Sequence, residues 1–214
     1  MSTKTPEFKN LTIVAHPLIE DKLSRLRDRE TPHYRFKSLL EEISQFLFYA
    51  AAASLETVPR PVITPLETVA GRVLKKEILL VPILRAGLGM VNGVFNIWEE
   101  ARVGMIGMYR DHDTLKPVDY YLKLPDNLEN YVLFLLDPML ATGGSAAAAL
   151  ERLKEKGARN LAMISIICAP EGVAVVEESH PGVPIYTAAL DRQLNEKGYI
   201  LPGLGDAGDR YFGS

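Results

Sequence analysis

Leu135-Leu136-Asp137-Pro138-Met139-Leu140-Ala141-Thr142-Gly143-Gly144-Ser145 is the stretch that decides both the fold and the site. The apolar run Tyr131–Leu136 reads as a buried strand, and it ends in an acid. The chain then turns through Ala-Thr-Gly-Gly-Ser into a helical pattern, Gly144–Lys156, that stops at Gly157. Glycines let backbone N–H groups converge without obstruction, and a helix N-terminus adds partial positive charge. Thr142 and Ser145 add hydroxyl donors. Such a loop is a phosphate cradle. It is not a Walker A loop, because no lysine follows the glycines. Asp137, just upstream, is placed to accept hydrogen bonds from sugar hydroxyls on the same ligand. A plain strand–helix turn has no need of the acid, the threonine, two glycines and the serine together.

The same rhythm extends to both sides. Strands are expected at Leu11–Val14, Ile78–Ile83, Val103–Tyr109, Asn160–Cys168 and Pro184–Leu190, and a further one at Tyr120–Leu124. Helices are expected over Leu18–Arg29, from Thr31-Pro32 through Ala50, over Leu88–Trp98 and over Glu171–Ser179. Strands that are apolar throughout and alternate with helices predict an α/β fold, a parallel sheet with helices on both faces. Ligands of such sheets bind outside the carboxyl ends of the strands. The site is therefore expected just after Ile83, Tyr109, Leu136 and Leu190. Three prolines, at 59, 61 and 65, leave residues 58–74 as irregular chain, an edge strand or a protruding hairpin.

Composition bounds the partners. The 214 residues fit one domain. Net charge is −3, from 24 basic and 27 acidic residues, which argues against non-specific nucleic-acid binding. Cys168 is the only cysteine, so no internal disulfide forms, and a reducing, cytoplasmic setting is expected. Cys168 lies in an apolar run and reads as a buried strand thiol rather than a nucleophile. No stretch nears the ~18 apolar residues of a membrane helix, and with no apolar run in its first ten residues the N-terminus is not expected to be a signal peptide.

With its acid and glycines, Asp137–Ser145 resembles the phosphoribosyl-pyrophosphate (PRPP) loop of type I phosphoribosyltransferases. Most members carry two adjacent acids at the strand end, whereas this chain has Leu136-Asp137-Pro138, the form of the uracil phosphoribosyltransferase family. Val81-Pro-Ile-Leu-Arg85-Ala-Gly87, Met108-Tyr-Arg110-Asp111, His16-Pro17-Leu18 and the tail Gly198–Gly213 also match that branch, so the resemblance spans essentially the whole chain. It implies a type I phosphoribosyltransferase fold with a β-arm (about 58–74), a lid loop (about 110–125) and a C-terminal base-binding hood (about 191–214), all in one domain, 1–214.

The resemblance also implies a reaction: uracil and PRPP give UMP and pyrophosphate, with Mg²⁺. Arg85, Arg110 and the loop Asp137, Pro138, Met139, Leu140, Ala141, Thr142, Gly143, Gly144 and Ser145 would bind PRPP. Asp206 would serve PRPP, and Mg²⁺ through PRPP and water. Ile200, Gly205, Asp206 and Ala207 would read uracil, and Arg110 and Asp206 would be catalytic. A backbone presenting N–H, C=O and N–H in order pairs with uracil's C2 and C4 carbonyls and its N3 proton. Cytosine would leave two buried groups mismatched, and such a site can reject the wrong analogue ~10⁴-fold or more. The family includes enzymes activated by GTP, although no motif here marks an effector site. The apolar N-terminal helices and the arm suggest a homo-oligomer.

Other readings carry less. A type I enzyme for another base is opposed by the Gly205-Asp-Ala207 tail, and an RNA-binding regulator on this scaffold is opposed by the net charge. Gly203–Gly208 matches G-x-G-x-x-G, but only six residues follow Gly208, too few for a Rossmann helix and its acid. Asp111-His112-Asp113 reads as solvated loop, Lys22–Arg29 as a solvated helix face, and Tyr120-Tyr121 as strand or lid packing.

Overall fold

The run Ile78–Ile83 offers no polar face to water, so a strand made from it must be covered on both sides. The computed structural model describes residues 2–4, 8–110 and 117–214, with the side chains of 8–108 and 120–214. In chain order the elements are β1 (Ser2–Lys4), β2 (Leu11–Val14), α1 (Pro17–Arg27), α2 (His33–Ala52), β3 (Thr57–Ile63), β4 (Thr68–Leu74) and β5 (Glu77–Leu84). Next come α3 (Leu88–Phe95), β6 (Arg102–Val103), β7 (Met105–Arg110), β8 (Pro117–Lys123), β9 (Tyr131–Leu136) and β10 (Met139–Leu140). The chain closes with α4 (Gly144–Glu155), β11 (Asn160–Cys168), α5 (Pro170–Ser179), β12 (Ile185–Leu190), β13 (Gln193–Leu194), β14 (Ile200–Leu201) and α6 (Ala207–Phe212).

The main sheet runs β1-β2-β12-β11-β9-β5-β7-β8. Its inner strands are parallel, and β1 and β8 add antiparallel edges. From β5 the chain moves outward to β7, then returns to β9 on the other side of β5 and proceeds to β11 and β12. The crevice between the carboxyl ends of β5 and β9 is thus the topological switch point, where open α/β sheets bind ligands.

Side-chain alternation builds two cores. Ile78 and Leu80 join Phe36, Leu40, Ile43, Leu47 and Met90 of α2 and α3 on one face. Leu79 and Val81 join Ala146, Ala149, Leu150 and Leu153 of α4 with Val173 and Val176 of α5 on the other. The apolar spacing expected of α2 is met, since Phe36, Leu39, Leu40, Ile43 and Leu47 are all fully buried. The small side chains of Ala146 and Ala149 let α4 lie close against the sheet.

Several boundaries differ from the sequence expectation. Helix α3 ends at Phe95 rather than Trp98, because the N–H groups of Ile97 and Trp98 both turn back onto the Val94 carbonyl. The strand expected at Val103–Tyr109 is split at Gly104, whose N–H donates to Leu80 O at 2.9 Å. Residues 58–74 fall in the antiparallel hairpin β3–β4, whose residues Ile63 and Leu66 are 86% and 95% exposed. The segment 117–123 is strand β8, paired with β7, and Tyr120 lies over Gly107. Asp111, His112 and Asp113 lie outside the described residues, as does the side chain of Arg110 at the end of β7.

Candidate active site

Strands β5 and β9 pair in register, Val81 with Leu135 and Pro82 with Leu136, so their next residues emerge side by side. From β5 comes Arg85-Ala86-Gly87, and from β9 comes Asp137. The two turns press together. A Cβ on Gly87 would stand 2.3 Å from Leu136 O and 2.7 Å from Ile83 N, a position that only glycine can occupy. The Leu84–Arg85 peptide is cis.

The loop after β9 is divided between structure and function. Asp137 N donates to Ile164 O at 3.2 Å, and Pro138 O accepts from Ile166 N and Ile167 N at 3.1 Å each. Met139 and Leu140 form β10 against β11, and Leu140 N donates to the buried Ser165 hydroxyl at 3.1 Å. These ties fix the start of the loop to the sheet. The N–H groups of Gly143, Gly144 and Ser145 open α4 and have no intrahelical acceptor. They are the donors that an anion can take. Gly143 caps the helix at φ +80°, in the left-handed region. The Asp137 carboxyl accepts a 3.4 Å hydrogen bond from Met139 N, and burial pushes it up to about 7.

The C-terminal tail packs across this end of the sheet. Strands β13 and β14 make a small hairpin, and a Cβ on Gly198 would lie 3.6 Å from Thr142 Cγ2. Asp206 caps α6, its Oδ1 accepting from Asp209 N at 2.9 Å. A Cβ on Gly208 would sit 3.8 Å from Ala86 Cβ, so α6 leans on the β5 turn. Arg85 Nη2 reaches Asp209 Oδ1 at 3.5 Å, and its guanidinium lies 5.6 Å from the centre of the Phe212 ring. Ile200 and Ala207 are buried, while Gly205, at φ +81°, and Asp206 are exposed. The structure thus brings Arg85, the loop 137–145 and the tail 200–207 to one end of the sheet, with the backbone of Arg110 at the end of β7.

Other residues support this end without having been assigned that role from the sequence. Gly172 of α5 abuts the loop, since a Cβ there would be 2.4 Å from Ala141 O. Arg210 donates to the carbonyls of Leu26, Leu204 and Asp28 and lies 4.4 Å from the Phe36 ring centre, tethering the tail to α1. Arg27 pairs with Asp191. Gly172 sits in no motif. Arg27 lies in the Lys22–Arg29 stretch expected to be a solvated helix face, but turns inward onto the buried Asp191. Arg210 lies in the matching tail, where Asp206-Ala-Gly-Asp209 carries a readable helix-start signature. His16, from the matching N-terminal segment, caps α1 through Nδ1, which accepts from Leu18 N at 3.1 Å. Burial pushes the Cys168 thiol up to about 12, as suits an inert strand residue.

Among the described residues no three His, Cys, Asp or Glu side chains cluster as a metal site. Mg²⁺ is commonly held by one or two carboxylates, substrate phosphates and water. Asp206 fits such a role, being exposed with one carboxylate oxygen committed to its helix cap. No helix of the described residues is long and apolar enough to cross a membrane.

The sequence profile of the uracil phosphoribosyltransferase family matches residues 13–214. The uracil phosphoribosyltransferase of Dictyoglomus turgidum is 52% identical over 203 residues, covering 94% of this chain and 98% of that protein. That of Symbiobacterium thermophilum is 52% identical over 208 residues, covering 97% and 100%. The solved structure of a protein from Aquifex aeolicus superposes with a TM-score of 0.89 at 36% identity, covering 94% and 97% of the two chains. A Bacillus anthracis hypoxanthine-guanine phosphoribosyltransferase shares the fold, with a TM-score of 0.51 at 11% identity over 74% and 80% of the chains.

Proposed function

The chain belongs to the uracil phosphoribosyltransferase family, and from that premise we propose how its residues divide the work of making UMP in pyrimidine salvage. The reaction transfers the phosphoribosyl group of PRPP to N1 of uracil and releases pyrophosphate. The observation that carries the residue assignment is the juxtaposition at the switch point: an arginine turn from β5, an acid and open amides from β9 and α4, and a glycine-rich tail across them.

The amides of Gly143, Gly144 and Ser145, with the Thr142 and Ser145 hydroxyls, hold the 5-phosphate at the start of α4. Asp137 accepts from the ribose hydroxyls, which favours its ionised form. Pro138, Met139, Leu140 and Ala141 set the shape of the loop. Arg85 and Arg110 take the pyrophosphate, because a planar guanidinium forks onto phosphate oxygens. The backbone of Ile200, Gly205 and Ala207 reads the edge of uracil. Asp206 faces PRPP and would help to hold Mg²⁺ through PRPP and water, and that ion, when bound, supplies charge neutralisation at the pyrophosphate.

C1–O cleavage builds positive charge that the ribose ring oxygen shares. Arg85 and Arg110 stabilise the negative charge that departs, and the tail holds uracil N1 behind C1. The electron pair of the broken C1–O bond leaves with pyrophosphate, the N1 lone pair forms the new C1–N bond, and the N1 proton passes to the departing pyrophosphate. No side chain serves as a nucleophile, so no covalent enzyme intermediate forms. Three further parts of the reading follow from the resemblance: activation by GTP, assembly of a homo-oligomer and a cytoplasmic setting. The exposed apolar tip of the β3–β4 hairpin supports the second, and the single buried Cys168 supports a reducing compartment.

The test is a panel of bases incubated with PRPP and Mg²⁺, with nucleotide products separated by chromatography. UMP from uracil, with little CMP from cytosine, is the expected result. Product from a purine and none from uracil would overturn the assignment.

A further inference from the structure

The tail between Ile200 and Asp206 is a turn with little regular structure of its own. Gly203 and Gly205 hold φ of +67° and +81°, and a Cβ on Gly203 would stand 2.2 Å from Ile200 O. Something outside the turn must select this conformation.

Arg27, the last residue of α1, reaches it. Its Nη1 donates to Gly203 O at 2.7 Å and to Asp191 Oδ2 at 2.8 Å, and its Nη2 donates to Asp191 Oδ1 at 2.5 Å. Asp191 Oδ2 also accepts from Gly203 N at 2.9 Å. Both backbone polar groups of Gly203 are therefore taken by one ion pair. Asp191 is itself anchored, its N–H donating to Cys168 O at 2.8 Å at the end of β11. The side chains of Asp191 and Arg27 are only 4% and 22% exposed. A planar fork in such a setting fixes direction as well as distance.

We infer that Arg27 and Asp191 are positioning residues for uracil: their ion pair clamps Gly203 and thereby sets the spacing of the Ile200, Gly205 and Ala207 backbone groups. Neither residue touches the base. The inference rests on the proposed reading of the tail as the uracil-binding element. A hydrogen-bonding edge tolerates little displacement, so loosening the clamp weakens uracil selectively. The loop 137–145 is held by separate ties to β11, and Asp206 by its own cap on α6, so the PRPP contacts are largely spared.

The test is steady-state kinetics of Arg27→Met, Arg27→Lys and Asp191→Asn with each substrate varied in turn, beside Gly205→Val as a direct perturbation of the tail. Arg27→Met is expected to raise the KM for uracil roughly 10-fold, the equivalent of one charged hydrogen bond. Its KM for PRPP should stay within about 2-fold of the parent. Arg27→Lys keeps a charge for Asp191 but lacks the second arm of the fork, so it should fall between Arg27→Met and the parent. It also carries the test if Arg27→Met fails to fold. An unchanged uracil KM in the Arg27 and Asp191 variants, with a raised one in Gly205→Val, overturns the clamp and leaves the base-reading tail standing. Equal losses for both substrates overturn it in favour of a general structural role. If Gly205→Val also leaves the uracil KM unchanged, the reading of the tail falls, and the clamp with it.

Discussion

Gly172→Ala separates helix propensity from the support of the phosphate loop. Gly172 is the third residue of α5, where alanine would by propensity alone stabilise the helix by about 1 kcal/mol. The structure predicts the opposite sign. The added Cβ would lie 2.4 Å from Ala141 O, 2.8 Å from Leu140 O and 3.0 Å from Ala141 C, all backbone atoms. The closest approach falls about 1 Å short of ordinary contact, and no side chain can rotate to relieve it. Overpacking of this kind costs about 1–3 kcal/mol. Set against the propensity gain, the net loss is up to about 2 kcal/mol, or up to roughly 8 °C in Tm for a chain of this size. Relief by moving the loop displaces the amides of Thr142–Ser145, and a 1 Å misplacement costs roughly 10²-fold in catalysis. The assays are thermal unfolding and UMP formation with PRPP varied. Lower Tm with kcat/KM for PRPP down by about two orders of magnitude is expected. A raised Tm with unchanged PRPP kinetics would refute the reasoning.

Asp137→Asn should flatten the dependence of stability on pH. Burial raises the Asp137 carboxyl from 3.8 to about 7, so the folded chain carries no penalty below 3.8 and the full one above 7. The parent should therefore lose Tm relative to Asp137→Asn as pH rises from 5 to 8, while the variant loses PRPP affinity; parallel Tm–pH curves would count against the buried acid. Arg110→Ala should lower turnover roughly 10²-fold, and near-normal kcat would remove it from the leaving-group site. Asp206→Asn keeps a residue able to cap α6, so its fold should survive while the Mg²⁺ requirement for PRPP use rises. An unchanged Mg²⁺ titration would dismiss the carboxylate.

How far the sequence could be read depends on whether the information was local. The strands β5, β9 and β11 and the helices α2 and α4 announce themselves through continuous or 3.6-period apolar runs. The phosphate loop is legible because acid, hydroxyls and glycines lie within nine consecutive residues, 137–145. The placement of Arg85 beside Asp137 follows once the parallel sheet is accepted, since strand ends converge. The supports are not legible. Arg27 meets Asp191 across 164 positions and Arg210 meets Leu26 across 184, with no pattern around either to signal a partner. Gly172 and Gly87 look like ordinary helix and loop glycines until the backbone that crowds each is in place. The tail's α6 is only six residues long, too short for periodicity to stand out.

A crystal structure of the protein with UMP tests the central assignment most directly. The 5-phosphate should rest on the amides of Gly143–Ser145, the ribose hydroxyls on the Asp137 carboxylate, and the uracil edge on the backbone of Gly205 and Ala207. A nucleotide bound elsewhere, or bound at the switch point with its base turned away from the tail, would contradict the account.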